Sequence, residues 1–330
     1  MQDEWKAPVE ALERTGGHEV RSWQLMEQAL LAGVIEQRRK RRWGIFFKLL
    51  GFAYLLAVLF SFSPWTGLAE TASHGPHTAL IDVRGVIADE ERASADNLIG
   101  SLRAAFADDN TRAVLLRINS PGGSPVQSGY VYDEIRRLQA RHPQTKVYAV
   151  ISDLGASGAY YIASAADAIY ADKASLVGSI GVTASGFGFV EAIQRLGIER
   201  RVYTAGEHKG FLDPFLPQQD AQTRFWGEVL ETTHRQFIAS VKEGRGERLK
   251  DTDNPELFSG LVWSGEQALA LGLIDGLGSA SHVAREVIGE AKIVDFTQKE
   301  SPIDRFAKKI GAGVSQQLML WMGLQGPTLR

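Results

Sequence analysis

The stretch Gly155-Ala156-Ser157-Gly158-Ala159-Tyr160-Tyr161 sets a serine between an apolar run, Val147 to Ile151, and a helix-like segment, Tyr160 to Ala166. A serine at such a junction presents its hydroxyl at a sheet edge, with unpaired backbone N–H groups beside it to meet a developing negative charge. Ser157 is therefore a candidate nucleophile, although taken alone it fits a simple helix N-cap more readily. A serine nucleophile needs a base. Of the seven histidines, His18 lies in a polar N-terminal region, His74 and His77 flank a linker, and His142 sits in a polar turn. His234 and His282 fall in helical patterns where surface or satisfied positions account for them. His208 draws interest through its neighbour Lys209, in a loop with glycine on one side and Phe211-Leu212 on the other. A lysine serves as a base only where desolvation or nearby cations favour its neutral form. Upstream, the buried-strand pattern Leu115 to Asn119 runs into Ser120-Pro121-Gly122-Gly123-Ser124. Adjacent glycines let a backbone turn its N–H groups toward a ligand, as an oxyanion hole requires, and they also suit an ordinary strand-to-helix turn.

Five blocks in order, Ser120-Pro121-Gly122-Gly123, Gly155 to Ala163, Val177-Gly178-Ser179-Ile180-Gly181-Val182, Lys209 and Ser264-Gly265-Glu266-Gln267-Ala268, resemble the signal peptide peptidase A family of serine peptidases. The resemblance spans about residues 77 to 290. It implies an α/β domain of the Clp protease and crotonase-like fold, built from repeated ββα units. It further implies Ser157 as nucleophile, Lys209, 52 residues later, as general base, and Ser179 as the residue that holds the lysine amine. The chain carries one catalytic repeat where some members carry two.

Composition is compatible with this and narrows the rest. At 330 residues with 44% hydrophobic content the chain can bury a core, and a net charge of −3 gives no global pull toward nucleic acid. The absence of cysteine excludes disulfides, thiolate-bound zinc and a cysteine nucleophile. No metal or cofactor is implied.

The elements that must position these residues come after a charged leader. Residues 1–42 form a cytoplasmic region that ends in the five cations Arg38-Arg39-Lys40-Arg41-Arg42. Residues 43–63 are expected to be a single transmembrane signal anchor, because the run Trp43 to Phe62 has the length of a bilayer-spanning helix and Trp43 and Trp65 suit its two interfaces. The cations place the N-terminus inside and the remainder on the outer, periplasmic side of the cytoplasmic membrane. A cleavable signal peptide fits less well, since more than 40 residues precede a long apolar run. Residues 64–76 read as a linker and 77–330 as the peptidase domain.

Within that domain, strands are expected at Thr78 to Val83, Ala113 to Ile118, Lys146 to Ile151, Ala168 to Ala171, Arg201 to Tyr203 and Lys292 to Phe296. Helices are expected at Ser94 to Phe106, Val126 to Ala140, Glu191 to Leu196, Gln218 to Gly244, Ser264 to Gly272 and His282 to Ile288. The alternation predicts helices covering a largely parallel sheet, with Ser120 to Ser124 and the Gly155 turn at strand C-terminal ends, where sites in such sheets gather. The amphipathic tail, Asp304 to Leu324, suits a partner or a membrane surface.

The expectation is a membrane-anchored serine endopeptidase acting on remnant signal peptides and similar hydrophobic peptides, assembled as a homo-oligomer. Ser157 attacks, Lys209 takes the proton, and N–H groups of Gly122, Gly123 and Gly158 stabilise the oxyanion. Two alternatives stand beside it: a catalytically silent scaffold of the same fold, and a crotonase-like thioester enzyme.

Overall fold

The computed structural model of the chain describes residues 38–56, 58, 75–250 and 254–298. Residues 38–56 are helical and exposed. Among the described residues no helix is long and apolar enough to cross a membrane. Most of the anticipated 64–76 linker, the remainder of the 43–63 span apart from residue 58, residues 1–37 and the 304–324 tail lie outside the described residues.

A separate compact unit, Ser73–Ser301, contains the sheet. Strands β1 (His77–Arg84), β2 (Thr111–Ser120) and β3 (Lys146–Ala156) lie parallel and adjacent, joined by helices α1 (Ala95–Ala107) and α2 (Pro125–Arg141). The consecutive residues Val114, Leu115 and Leu116 are all buried, the pattern of a strand covered on both faces. Both helices start where the sequence supplies a cap: Ser94 accepts the Asn97 N–H, and Ser124 accepts the Gln127 N–H with Pro125 at the first helical position. The two helices are tied by Glu134 of α2, which accepts from Arg103 at 2.7 Å and from Arg137. The Arg137 hydrogen bonds, aided by Arg103 against the opposing effect of burial, hold the Glu134 carboxyl down to about 2.

Beyond β3 come α3 (Gly158–Ser164), β4 (Ala168–Ala171), β5 (Leu176–Gly178), α4 (Val190–Arg195) and the long α5 (Asp220–Arg245). The unit closes with β6 (Val262–Ser264), α6 (Gly265–Ala270), β7 (Gly276–Leu277), α7 (Ala280–His282) with a following π-helical turn, and β8 (Ile293–Asp295). Across the sheet the order is β6-β5-β3-β2-β1-β8, with β4 beside β3 and β7 beside β4. Among the described residues only the β5–β6 pair is antiparallel. The anticipated capped helix at Ser264 is α6, and its capping box is complete: Ser264 accepts the Gln267 N–H while the Gln267 side chain accepts the Ser264 N–H.

One irregularity in the sheet shapes the site. Strands β2 and β3 pair evenly up to Ile118 and Ile151, but the next pair is Ser120 with Gly155, so β3 advances four residues while β2 advances two. Such a bulge bends the strand and re-aims the residues beyond it. Before it β3 pairs with β4, and after it with β5. Gly155 is required at the bend, because a Cβ there would stand 2.7 to 2.8 Å from the Ile151 side chain.

One expected strand is not formed. Arg201, Val202 and Tyr203 are exposed, in a segment with no regular structure between α4 and α5. Their residue types favour a strand, but among the described residues nothing pairs with their backbone, and an unpaired strand gains no ladder hydrogen bonds.

Candidate active site

Ser157 sits between the end of β3 and the start of α3 with φ 54° and ψ −128°. A side chain with a Cβ adopts positive φ at a cost, and such residues persist where surrounding structure holds them. Here the Ser157 N–H donates to the Gly178 carbonyl at 2.8 Å and the Ser157 carbonyl accepts the Tyr161 N–H at 3.0 Å. The hydroxyl itself caps nothing. Ser94, Ser124, Ser264 and Ser279 all accept a backbone N–H at their helix starts, whereas Ser157 occupies the cap position with its hydroxyl left over. That removes the simple N-cap account of this serine.

The loop after β2 lies directly on this turn. At Gly122, φ is 90°, and a Cβ would meet the Gly158 nitrogen at 2.6 Å, the Ala156 oxygen at 2.7 Å and the Ser157 Cβ at 2.8 Å. The three anticipated oxyanion residues are thus brought together with Ser157, but their roles divide. The Gly122 N–H donates to Ser120 Oγ at 3.1 Å, and its carbonyl accepts the Ile87 N–H at 2.9 Å, so Gly122 allows close approach instead of offering a donor. The N–H groups of Gly123 and Gly158 meet no acceptor among the described residues. These two remain available to a ligand oxygen beside Ser157.

Ser179 comes directly after β5, which pairs with the last residues of β3, so that Ala156 stands opposite Gly178 and Ser179 is next to Ser157 in register. It too has a positive φ, 51°, and Ser157 and Ser179 are the only such non-glycine residues among those described. Its N–H donates to the Leu261 carbonyl at 2.7 Å.

Lys209 is placed differently. It is exposed, in a turn closed by its N–H to the Gly206 carbonyl at 3.2 Å, and its side chain borders an open cleft of about 520 Å³ with Arg200, Val202 and Phe215. Among the described residues no hydrogen bond or ion pair joins Lys209 to Ser157 or Ser179. The expected dyad is therefore not closed within one copy of the chain. Neither neighbouring carboxylate pairs with the amine: Asp213 accepts from Arg200 at 2.8 Å, and Glu207 makes no ion pair with Lys209. The Phe215 N–H and then Arg200 hold the Asp213 carboxyl below the usual range.

Sequence reasoning passed over His234. Its Nε2 is 3.1 Å from the carbonyl of Ile180, the residue after Ser179. The available signal was spacing, since His234, Phe237 and Val241 share one helical face and the latter two are buried.

Comparison with known proteins fits this arrangement. Residues 139–293, which include Ser157, Ser179 and Lys209 but not Gly122 and Gly123, match the model of peptidase family S49. The chain is 49% identical over 191 residues to the Na(+)/H(+) antiporter NhaA of Brucella melitensis biotype 1, covering 58% of this chain and 26% of that one. It is 30% identical over 265 residues to Protease 4 of Haemophilus influenzae, covering 76% and 42%. A protein of Enterococcus faecium named for the signal peptide peptidase SppA is 28% identical over 270 residues, covering 78% and 76%. The chain thus spans about a quarter of the first of these relatives and less than half of the second.

Proposed function

The chain belongs to peptidase family S49, and from that premise we propose that it is a membrane-anchored serine endopeptidase of the signal peptide peptidase A type. The observation that carries the reading is Ser157: a strained serine at a strand-to-helix turn, its hydroxyl uncommitted, beside the unclaimed N–H groups of Gly123 and Gly158. In this mechanism Ser157 Oγ attacks the scissile carbonyl and its proton passes to the free amine of Lys209. The carbonyl oxygen, as it gains charge, is met by the Gly123 and Gly158 N–H groups. The protonated amine then delivers the proton to the leaving nitrogen, and water repeats the sequence on the acyl-enzyme. Ser179, adjacent to Ser157, orients the amine. The sheet order and helical cover suit the Clp protease and crotonase-like fold.

The reading includes assembly. Lys209 lies on the irregular segment between α4 and α5, where Leu196, Tyr203 and Leu212 are each more than 60% exposed. Such apolar exposure suits a protein surface that is covered in use. We therefore place Lys209 in the site through a ring of copies, with substrates held as hydrophobic peptides such as remnant signal peptides. The basic run Arg38 to Arg42 and the apolar residues from Trp43 onward support a signal anchor with the peptidase unit on the outer face of the cytoplasmic membrane.

The test is labelling of the detergent-solubilised full chain with a tagged fluorophosphonate, alongside Ser157→Ala. Labelling of wild type that is lost in the variant is the expected result. A silent scaffold gives no labelling of either protein, and a thioester enzyme gives none while binding an acyl thioester.

A further inference from the structure

The turn Gly178 to Gly181 holds the backbone of Ser157 and carries Ser179, and nearly all of its anchors are backbone groups. Gly178 O receives the Ser157 N–H, and Ser179 N–H reaches Leu261 O. The exception is a side chain from another element. His234 projects from α5 onto the carbonyl of Ile180, at 3.1 Å. A carbonyl oxygen only accepts, so the ring nitrogen in this contact must carry the hydrogen: Nε2–H donates. Ile180 is fully buried and His234 half-buried, so the bond is largely shielded from competing water.

Ser179 needs such an anchor. At φ 51° it holds a conformation that a residue with a Cβ adopts only when its neighbours impose it. Releasing the Ile180 carbonyl would leave a buried acceptor unpaired and free the Ile180–Gly181 peptide to rotate, loosening the backbone that holds Ser179. The Ser179 hydroxyl would then lose its aim.

We propose that His234 is a positioning residue for the peptidase reaction, holding Ser179 through the Ile180 carbonyl so that the serine hydroxyl is aimed at the lysine amine. The inference rests on the Ser-Lys reading above and adds to it a residue that touches neither substrate nor reacting atoms. Its effect should fall on turnover and not on substrate binding, and it should vanish once Ser179 has no hydroxyl to aim.

The experiment compares His234→Gln, which keeps a donor near the Nε2 position, with His234→Met, which removes it, each in the full chain and each also combined with Ser179→Ala. Steady-state cleavage of a hydrophobic reporter peptide, fluorophosphonate labelling rates and melting curves are measured together. His234→Met should lower kcat by about tenfold, the loss of one buried hydrogen bond, with KM within about twofold of wild type. His234→Gln should recover most of that loss. In the Ser179→Ala background His234→Met should cost nothing further. Wild-type kcat in His234→Met, an equal deficit in a well-folded His234→Gln, or losses that multiply in the double variant would each overturn the proposal. If wild type itself shows no Ser157-dependent labelling, the Ser-Lys reading falls and this inference with it. If wild type labels and His234→Met labels at the same rate, the inference alone fails.

Discussion

The serine side and the lysine side of the site are built in opposite ways. Ser157 stands on a turn pinned by hydrogen bonds to Gly178 and Tyr161 and covered by Gly122, over a core in which Ala159, Tyr160 and Ile162 of α3 are fully buried. Lys209 stands on an exposed turn in a segment with little regular structure, where Tyr203 is 91% exposed. A nucleophile at positive φ needs rigid surroundings to keep it there. A lysine base needs surroundings that favour its neutral form, and open solvent does not provide them. One chain thus holds its candidate nucleophile on a preformed turn while its candidate base stands in open solvent.

The largest effect should come from the serine side. Ser157→Ala is expected to lower peptide cleavage by at least about a thousandfold, with an unchanged melting temperature, because it removes the attacking group and little packing. Retained cleavage in a clean preparation would end the comparison at once. Lys209→Arg should be equally inactive despite keeping the charge, since a guanidinium supplies no accessible neutral form. Wild-type cleavage should also rise toward alkaline pH, because a lysine base acts as the free amine. An arginine variant within about tenfold of wild type would show that Lys209 is not the base.

Next in size is Gly122→Ala, which places a Cβ within 2.6 to 2.8 Å of three atoms of the Ser157 turn. The loop must move, taking the neighbouring Gly123 N–H with it, and a displaced oxyanion donor costs on the order of a hundredfold in kcat. Because the serine side is stiff, the same change at the exposed Gly186, in the irregular stretch before α4 where a Cβ meets nothing, should leave kcat unaffected. Tyr203→Ser probes the lysine side directly. It should weaken self-association by about tenfold while leaving the melting of dissociated subunits within about 0.5 kcal/mol of wild type, as read by sedimentation and calorimetry. Loss of core stability without loss of association would reverse the roles assigned to the two regions.

The smallest effect is one of acid stability. Glu134 has its carboxyl held down to about 2 in the folded protein, so its contribution is complete above the ordinary carboxylate value of about 4.5. That contribution fades as pH falls from there toward 2. Glu134→Gln should therefore flatten the acid limb of the stability curve, seen as a melting temperature that depends less on pH in that window.

The sequence by itself determined the alternation of strands and helices through α2, the capped starts at Ser94, Ser124 and Ser264, and the glycine-flanked serine. Those features are local: apolar runs, caps and turns act within a few residues of one another. It also carried enough pattern to associate Ser157, Ser179 and Lys209 with one chemistry. The residue pattern around Ser157 also fitted a simple helix cap, and the tertiary structure removed that account, because whether a hydroxyl caps a helix depends on φ and ψ at one residue. The division of labour between Gly122, which allows contact, and Gly123, which keeps its N–H, likewise depends on Ile87 arriving from the loop after β1, beside the local bond to Ser120 Oγ. Arg201 to Tyr203 have the residue types of a strand and form none, since a strand exists only where another backbone pairs with it. His234 was legible as a residue on a buried helical face, but its partner lies 54 residues away on the turn beside Ser157, a proximity that only folding creates.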